Sequence, residues 1–322
     1  MLYVVQGKIN KVLIILGPTA VGKSKLAIEL AKRLNGEIIS ADSMQVYFGM
    51  DIGTAKPPKE ELEEVPHHLI NIIPPDKNWS VSDFIANARS IIEDIIKRGK
   101  LPIVVGGTGL YLNALIEGYA FPIVEANKEI RERLEGEAKA YGSPHLYEKL
   151  KKVDPDAAVK IHYNDLKRII RALEVYELTG KPISKVQSKV EESLPYEPVI
   201  VGLDMDRKKL YERIEERVDQ MLEAGLVEEV QGLIKEGYDK KLTSMQAIGY
   251  KEVAEHLHGK YTHDELVNIL KQNTRNFAKR QMTWFRRFSA KGGSASGGKN
   301  VNWFDVEKLN TGDIIKLVKQ EG

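Results

Sequence analysis

The sequence predicts an α/β protein: a parallel sheet covered by helices on both faces and interrupted by a helical module. Three observations carry this reading. Short apolar, β-branched runs alternate with stretches of helical periodicity through the N-terminal third of the chain. From about Phe121 to Pro198, charged amphipathic patterns replace strands. A strand-like run, PVIVGLDM, then returns at residues 198–205. One sheet with an insertion explains that order better than two successive domains. The expected core is residues 1–121 with 199–322, and the expected insertion is residues 122–198.

Each element follows from its residues. KVLIIL (11–16) is short, apolar and closed by a glycine turn, as a buried parallel strand should be. From Lys23 to Leu34, Ala27, Leu30, Ala31 and Leu34 share one helical face. EIISA (37–41) gives a second strand. From Ser80 to Gly99 the apolar spacing is helical, with Ser80 and Asp83 forming a capping box at its start. LPIVV (101–105) is a third strand, broken by Gly106 and Gly107. Near the C-terminus VNWF (301–304) reads as a strand and residues 313–319 as a last helix. GGSASGG (292–298), just before that strand, reads as a mobile loop.

Composition narrows the chemistry. The 322 residues include no cysteine, which excludes disulfides, thiolate metal sites and cysteine nucleophiles. A net charge of +2 is too small to argue for nucleic acid, so the distribution of charge matters more. The N-terminal residues lack the apolar core of a signal peptide and no stretch approaches a membrane span, so the expected compartment is the cytoplasm. Nothing requires more than a monomer.

The strongest local signal is GPTAVGKS: Gly17, Pro18, Thr19, Ala20, Val21, Gly22, Lys23 and Ser24. It fits G-x-x-x-x-G-K-[ST] and lies between a predicted strand and a predicted helix, the context a phosphate-binding P-loop requires. Its backbone N–H groups can curl around a phosphate, and the helix N-terminus adds partial positive charge. Lys23 would reach an outer phosphate, and the Ser24 hydroxyl would hold Mg²⁺. Such a loop can equally hold a bare diphosphate. Gly-Gly-Thr stands where a Walker-B aspartate would follow the third strand, and no guanine-reading N-K-x-D motif occurs. A kinase-like phosphotransferase and another diphosphate-using transferase both remain open at this point.

Asp42 follows the second predicted strand. In doubly wound sheets ligands lie beyond the carboxyl ends of strands, which sets Asp42 opposite the cradle. It could accept a proton from a nucleophile, or serve only as a turn aspartate. The segments around it resolve the choice. ISADSMQVYFGMDIGTAKP (39–57), VGGTGLYLNALIEG (105–118), NDLKRIIRALEVYELTGKP (164–182), QAIGYKE (246–252) and AKRQMTWFR (278–286) run in one order along the chain. Together with GPTAVGKS they resemble the signature segments of the tRNA dimethylallyltransferases.

That resemblance implies a P-loop kinase-like core with a helical insertion. It also implies transfer of a dimethylallyl group from dimethylallyl diphosphate to N6 of the adenine 3′ of the anticodon in tRNA. Asp42 corresponds to the family's general base, Thr19 to a diphosphate contact, and Arg217 to an arginine beside the departing diphosphate. Asp42, Ser43, Met44, Gln45, Thr108, Arg131, Lys167, Arg168, Arg171, Gln246, Gly249, Tyr250 and Lys251 correspond to tRNA-contacting positions. The competing expectations are a P-loop small-molecule kinase and a nucleotide-gated RNA-binding module; the second has no use for Asp42 or Arg217.

Two further patterns need weighing. Residues 266–304 contain no acid, and Lys271, Arg275 and Lys279 recur every four residues along one helix face, followed by Arg280 and Arg287. This stretch is expected to meet RNA phosphates, with its aromatic residues in the core. His67-His68 has no third ligand at metal spacing and is expected to pack rather than to bind metal.

Overall fold

The computed structural model describes residues 4–5, 8–117, 126–186, 195–289 and 300–320. The predicted loop at 292–298 lies outside them. The chain divides into two compact units, Met1–Glu117 with Leu194–Gly322, and Gly118–Ser193.

The first unit opens with β1 (Val4–Val5) and β2 (Lys8–Ile9), an antiparallel pair. Its main sheet is built from β3 (Lys11–Leu16), β4 (Gly36–Ser40), β5 (His67–His68), β6 (Leu101–Gly106), β7 (Glu197–Asp204) and β8 (Val301–Asp305). The strand order is β5-β4-β6-β3-β7-β8, and every pairing is parallel. The α/β expectation therefore holds. All of β4 and nearly all of β3 and β6 are buried, as strands covered on both faces must be. Parallel strands put their carboxyl ends on one edge, so the segments after β3, β4 and β6 converge there.

Helix α1 (Lys23–Leu34) follows β3, and α2 (Lys59–Glu64) precedes the edge strand β5. Helix α3 (Val81–Lys97) starts with the predicted Ser80–Asp83 capping box, and α4 (Gly109–Glu117) follows β6. Leu26, Ala27, Leu30 and Ala31 of α1 pack with Leu13, Ile15, Ile38, Ile103 and Val201 of the sheet.

The second unit holds α5 (Lys128–Tyr141), α6 (Ser143–Val153), α7 (Pro155–Lys160), α8 (Leu166–Thr179) and α9 (Ile183–Val186). It has its own core, in which Leu134, Leu146, Leu150, Ile169 and Leu173 are buried together.

The first unit then continues with α10 (Arg207–Glu223), α11 (Leu226–Lys235), a short 3₁₀ turn (Ser244–Gln246), α12 (Tyr250–Leu257), the long α13 (His263–Ser289) and α14 (Thr311–Lys319). Helices α10 to α13 close a second core around Tyr47, Met50, Val218, Met245, Tyr250 and Leu266. No helix among the described residues is long and apolar enough to cross a membrane.

Candidate active site

The P-loop leaves β3 and turns into α1 through Gly22, whose φ of 101° suits a residue without a Cβ. Among the described residues no side chain caps the N-terminus of α1, and its first turn holds no acid, so the N–H groups there are open to an anion. Lys23 folds back over the loop, its Nζ donating to the Pro18 carbonyl at 2.7 Å. Arg217 reaches the same cavity from α10. Neither cation forms an ion pair with a carboxylate among the described residues. Burial, and then the neighbouring Arg217, lower the Lys23 ammonium to about 7, with Asp42 opposing them. Burial likewise lowers Arg217, again opposed by Asp42. Two desolvated cations on one cavity, the arginine depressing the lysine, describe a site awaiting negative charge.

Asp42 stands just beyond β4. Its Oδ1 accepts the N–H of Met44 at 2.8 Å and that of Gln45 at 3.4 Å. The turn reading is thus realised by one oxygen, and the residue also lines the cavity with Lys23 and Arg217. Thr108, after β6, accepts the Ser43 N–H at 3.1 Å and ties the two strand ends together.

Two cavities meet here. The smaller, about 90 Å³, lies against Thr19, Lys23, Ser24, Asp42, Arg217 and Gln281. The larger, about 330 Å³, is walled by Met44, Ile214, Val218, Met221, Ile248 and Leu270, with Gln246 and Arg280 also on its lining. Thr19, Asp42, Thr54, Ala55, Arg217 and Phe277 border both. A polar, cationic pocket therefore opens past a carboxylate into an apolar one.

Several expected residues take other positions. Gln45 borders the smaller cavity but spends its amide internally: Oε1 accepts from Ser40 Oγ at 2.8 Å, and Nε2 donates to the Thr54 and Ala55 carbonyls at 3.3 and 3.4 Å. Tyr250, expected to touch tRNA, is fully buried and its hydroxyl donates to Glu229 at 2.5 Å, so its side chain supports the wall instead. Gly249 lines the larger cavity, while Gln246 and Lys251 are exposed. Lys279 and Arg280 are exposed on α13, with the Arg280 guanidinium 5.8 Å from the Phe277 ring centre. Lys271 and Arg275 are a correction to the expected phosphate face. They pair with Asp219 and Glu215 of α10 at 2.8 and 2.5 Å, so acids distant in sequence neutralise them. Phe277 also differs from the expected core aromatics by lining both cavities, whereas Phe285 and Phe288 are buried.

In the second unit, Lys167 and Arg168 are exposed at the start of α8. Arg131 and Arg171 grip the fully buried Glu174, at 2.8 and 2.6 Å. The two adjacent histidines take separate partners. His68 Nε2 lies 2.8 Å from Glu37, and His67 Nδ1 lies 2.7 Å from the Val65 carbonyl on the border of the smaller cavity.

Sequence reasoning missed Gln281 and Glu229. Gln281 bonds to the P-loop and to Gly107. Glu229 accepts the N–H groups of Asp51, Ile52 and Gly53 at 2.9, 2.8 and 3.3 Å, and so holds the loop that carries Thr54. Gln281 lay within the AKRQMTWFR segment, but only tertiary contacts reveal its task.

Known proteins resemble this chain in sequence and in fold. The sequence pattern of the IPP transferases matches residues 45–288, and that of the isopentenyl transferases matches residues 10–72. The tRNA dimethylallyltransferase of Thermoanaerobacter sp. (strain X514) is 52% identical over 309 residues, 95% of each chain. That of Acetivibrio thermocellus is 51% identical over 312 residues, 96% of each chain. Among crystal structures, the full-length tRNA isopentenylpyrophosphate transferase of Bacillus halodurans is 46% identical with a TM-score of 0.68, covering 96% of this chain and 94% of that one. A eukaryotic dimethylallyltransferase caught acting on tRNA is 34% identical with a TM-score of 0.74, covering 92% of this chain and 74% of that one. With one family's pattern running along most of its length and relatives sharing half its residues from end to end, the chain belongs to the IPP transferase family.

Proposed function

We propose that the chain transfers a dimethylallyl group from dimethylallyl diphosphate to N6 of the adenine 3′ of the anticodon in tRNA, releasing diphosphate. One observation carries the reading: the cationic P-loop pocket and the apolar cavity meet at Asp42. The diphosphate is held by Lys23, Arg217, Thr19 and the loop N–H groups, and the five-carbon chain lies along Met44, Met221, Ile248 and Leu270. The allylic C1–O bond breaks, and its electron pair leaves on the diphosphate. The N6 lone pair forms the new C1–N bond, and the N6 proton passes to the Asp42 carboxylate. The amine is a weak nucleophile because its lone pair is delocalised into the ring, so a positioned base matters. The adenine must leave the anticodon stack to enter, which costs a few kcal/mol for a paired base and less for an unpaired one.

Mg²⁺ fits as an accessory. The exposed Ser24 borders the smaller cavity beside Lys23 and would be its protein ligand, since Mg²⁺ shared with phosphates needs few others. When bound it would offset diphosphate charge. RNA would rest on Ser43, Met44, Thr108, Gln246, Lys251, Lys279 and Arg280, and on Arg131, Lys167, Arg168 and Arg171 of the second unit. A tRNA substrate sets the reaction in the cytoplasm.

The reading is tested by incubating the chain with an anticodon stem-loop and dimethylallyl diphosphate labelled at C1. Label is expected on adenine N6, with one diphosphate released per transfer. Phosphoryl transfer from ATP to a small acceptor, without prenylation, would favour the kinase reading instead.

Two further outcomes follow from the geometry. Lys23 binds diphosphate as the ammonium, and burial with Arg217 brings its value to about 7 before the anion arrives. The bound anion raises that value. Affinity is therefore fully present below about pH 7 and declines as pH rises above it, by up to about tenfold per unit. Titrating Lys23→Met in parallel removes the diphosphate's own ionisation from the comparison, and identical profiles would refute the assignment.

The second outcome concerns salt. Replacing Lys279 and Arg280 together by Ala is expected to flatten the slope of log affinity for the stem-loop against log salt, by roughly 0.7–0.9 per contact. Lys271→Ala should leave the slope alone, because Asp219 already occupies that ammonium. Equal slopes for the wild type and the double variant would return this part of α13 to a solvated face.

A further inference from the structure

Gln281 is 5% exposed, and both ends of its amide are engaged. Its Oε1 accepts the Thr19 N–H at 2.8 Å, and its Nε2 donates to the Gly107 carbonyl at 3.0 Å. A buried amide requires such partners, and here both are main-chain groups of segments that line the smaller cavity. Among the described residues, no other side chain is seen to bond to the main chain of residues 19–22. N–H groups of a phosphate cradle ordinarily turn towards the anion. The Thr19 N–H is instead fixed by a residue 262 positions away, which settles the orientation of the Thr19 peptide and so the direction of its side chain. Gly107 is shaped for the same contact, since a Cβ there would stand 2.2 Å from the Gln281 Nε2.

We propose that Gln281 is a positioning residue for the transfer reaction: it holds the Thr19 peptide, and with it the diphosphate-binding loop, in register with the end of β6. The proposal rests on the reading of that loop as the diphosphate site. Its bonds leave the RNA surface of α13 untouched, so its loss should be felt at the diphosphate and not at tRNA.

The test compares Gln281→Met, Gln281→Ala, Gly107→Ala and the double variant Gly107→Ala/Gln281→Ala. For each, the affinity for inorganic diphosphate is measured by calorimetry, KM for dimethylallyl diphosphate by initial rates, and stem-loop affinity by direct binding. Gln281→Met, similar in volume but unable to make either bond, is expected to lose roughly tenfold in diphosphate affinity, the effect of leaving a buried donor unpaired. KM should rise in parallel while stem-loop affinity stays at the wild-type value. Gly107→Ala alone should show a comparable loss, because its Cβ displaces the amide. The double variant should be no worse than Gln281→Ala, since the clash is then gone.

Wild-type diphosphate affinity and KM in Gln281→Met, whatever its melting temperature, would overturn the proposal. So would losses from Gly107→Ala and Gln281→Ala that multiply in the double variant. Should Gln281→Met fail to fold, Gly107→Ala and the double variant decide the matter. A wild-type chain that binds no inorganic diphosphate would contradict the reading of the loop itself, which is a different result from equal binding by wild type and variant.

Discussion

Asp42→Asn is expected to lower the single-turnover rate of prenyl transfer by ~10²–10⁴, the range for a lost general base. The substitution separates the two tasks of this residue. An asparagine Oδ1 can still accept the Met44 and Gln45 N–H groups, so the turn beyond β4 survives. The amide cannot take the N6 proton. Binding of inorganic diphosphate and of the stem-loop should therefore stay close to wild type while chemistry collapses. A rapid-quench experiment at saturating concentrations of both substrates reads the chemical step directly. A near-normal rate would remove Asp42 from the mechanism and leave it as a turn aspartate.

Arg217→Ala should weaken transition-state stabilisation by ~3–4 kcal/mol, by analogy with a lost oxyanion donor, and so slow transfer by roughly 10²–10³-fold. The cause is charge that builds on the departing diphosphate in a pocket whose cations form no ion pair with a carboxylate among the described residues. The variant carries a second signature. Arg217 helps to lower the Lys23 ammonium, so without it that group should titrate at higher pH. The pH at which diphosphate affinity begins to decline should move upward in Arg217→Ala. Damage confined to tRNA affinity, with chemistry intact at saturation, would show that Arg217 does not face the diphosphate.

What the sequence made legible was local. KVLIIL, its glycine turn and the helix after it specify the P-loop within one stretch of chain, because strand, turn and helix chemistry act over neighbouring residues. The position of Asp42 followed from the rule that strand ends converge in a parallel sheet. The edge strand β5 escaped notice because two residues carry no periodicity. Contacts between distant segments were not legible. Asp219 and Glu215 lie 52 and 60 positions from the lysine and arginine they neutralise, so the acid-free run around α13 read as free positive charge. Phe277 has the composition of a core aromatic, and only the meeting of α13 with the P-loop makes it part of a cavity wall.

The most direct test is a crystal structure of the protein with the unreactive thiolo analogue of dimethylallyl diphosphate, in which sulfur replaces the bridging oxygen. Expected is a diphosphate within hydrogen-bonding distance of Lys23, Arg217 and the P-loop N–H groups, with C1 turned towards Asp42 and the dimethyl end against Met44, Met221 and Ile248. A diphosphate bound away from the P-loop, or a prenyl chain directed past His67 and away from Asp42, would contradict the account.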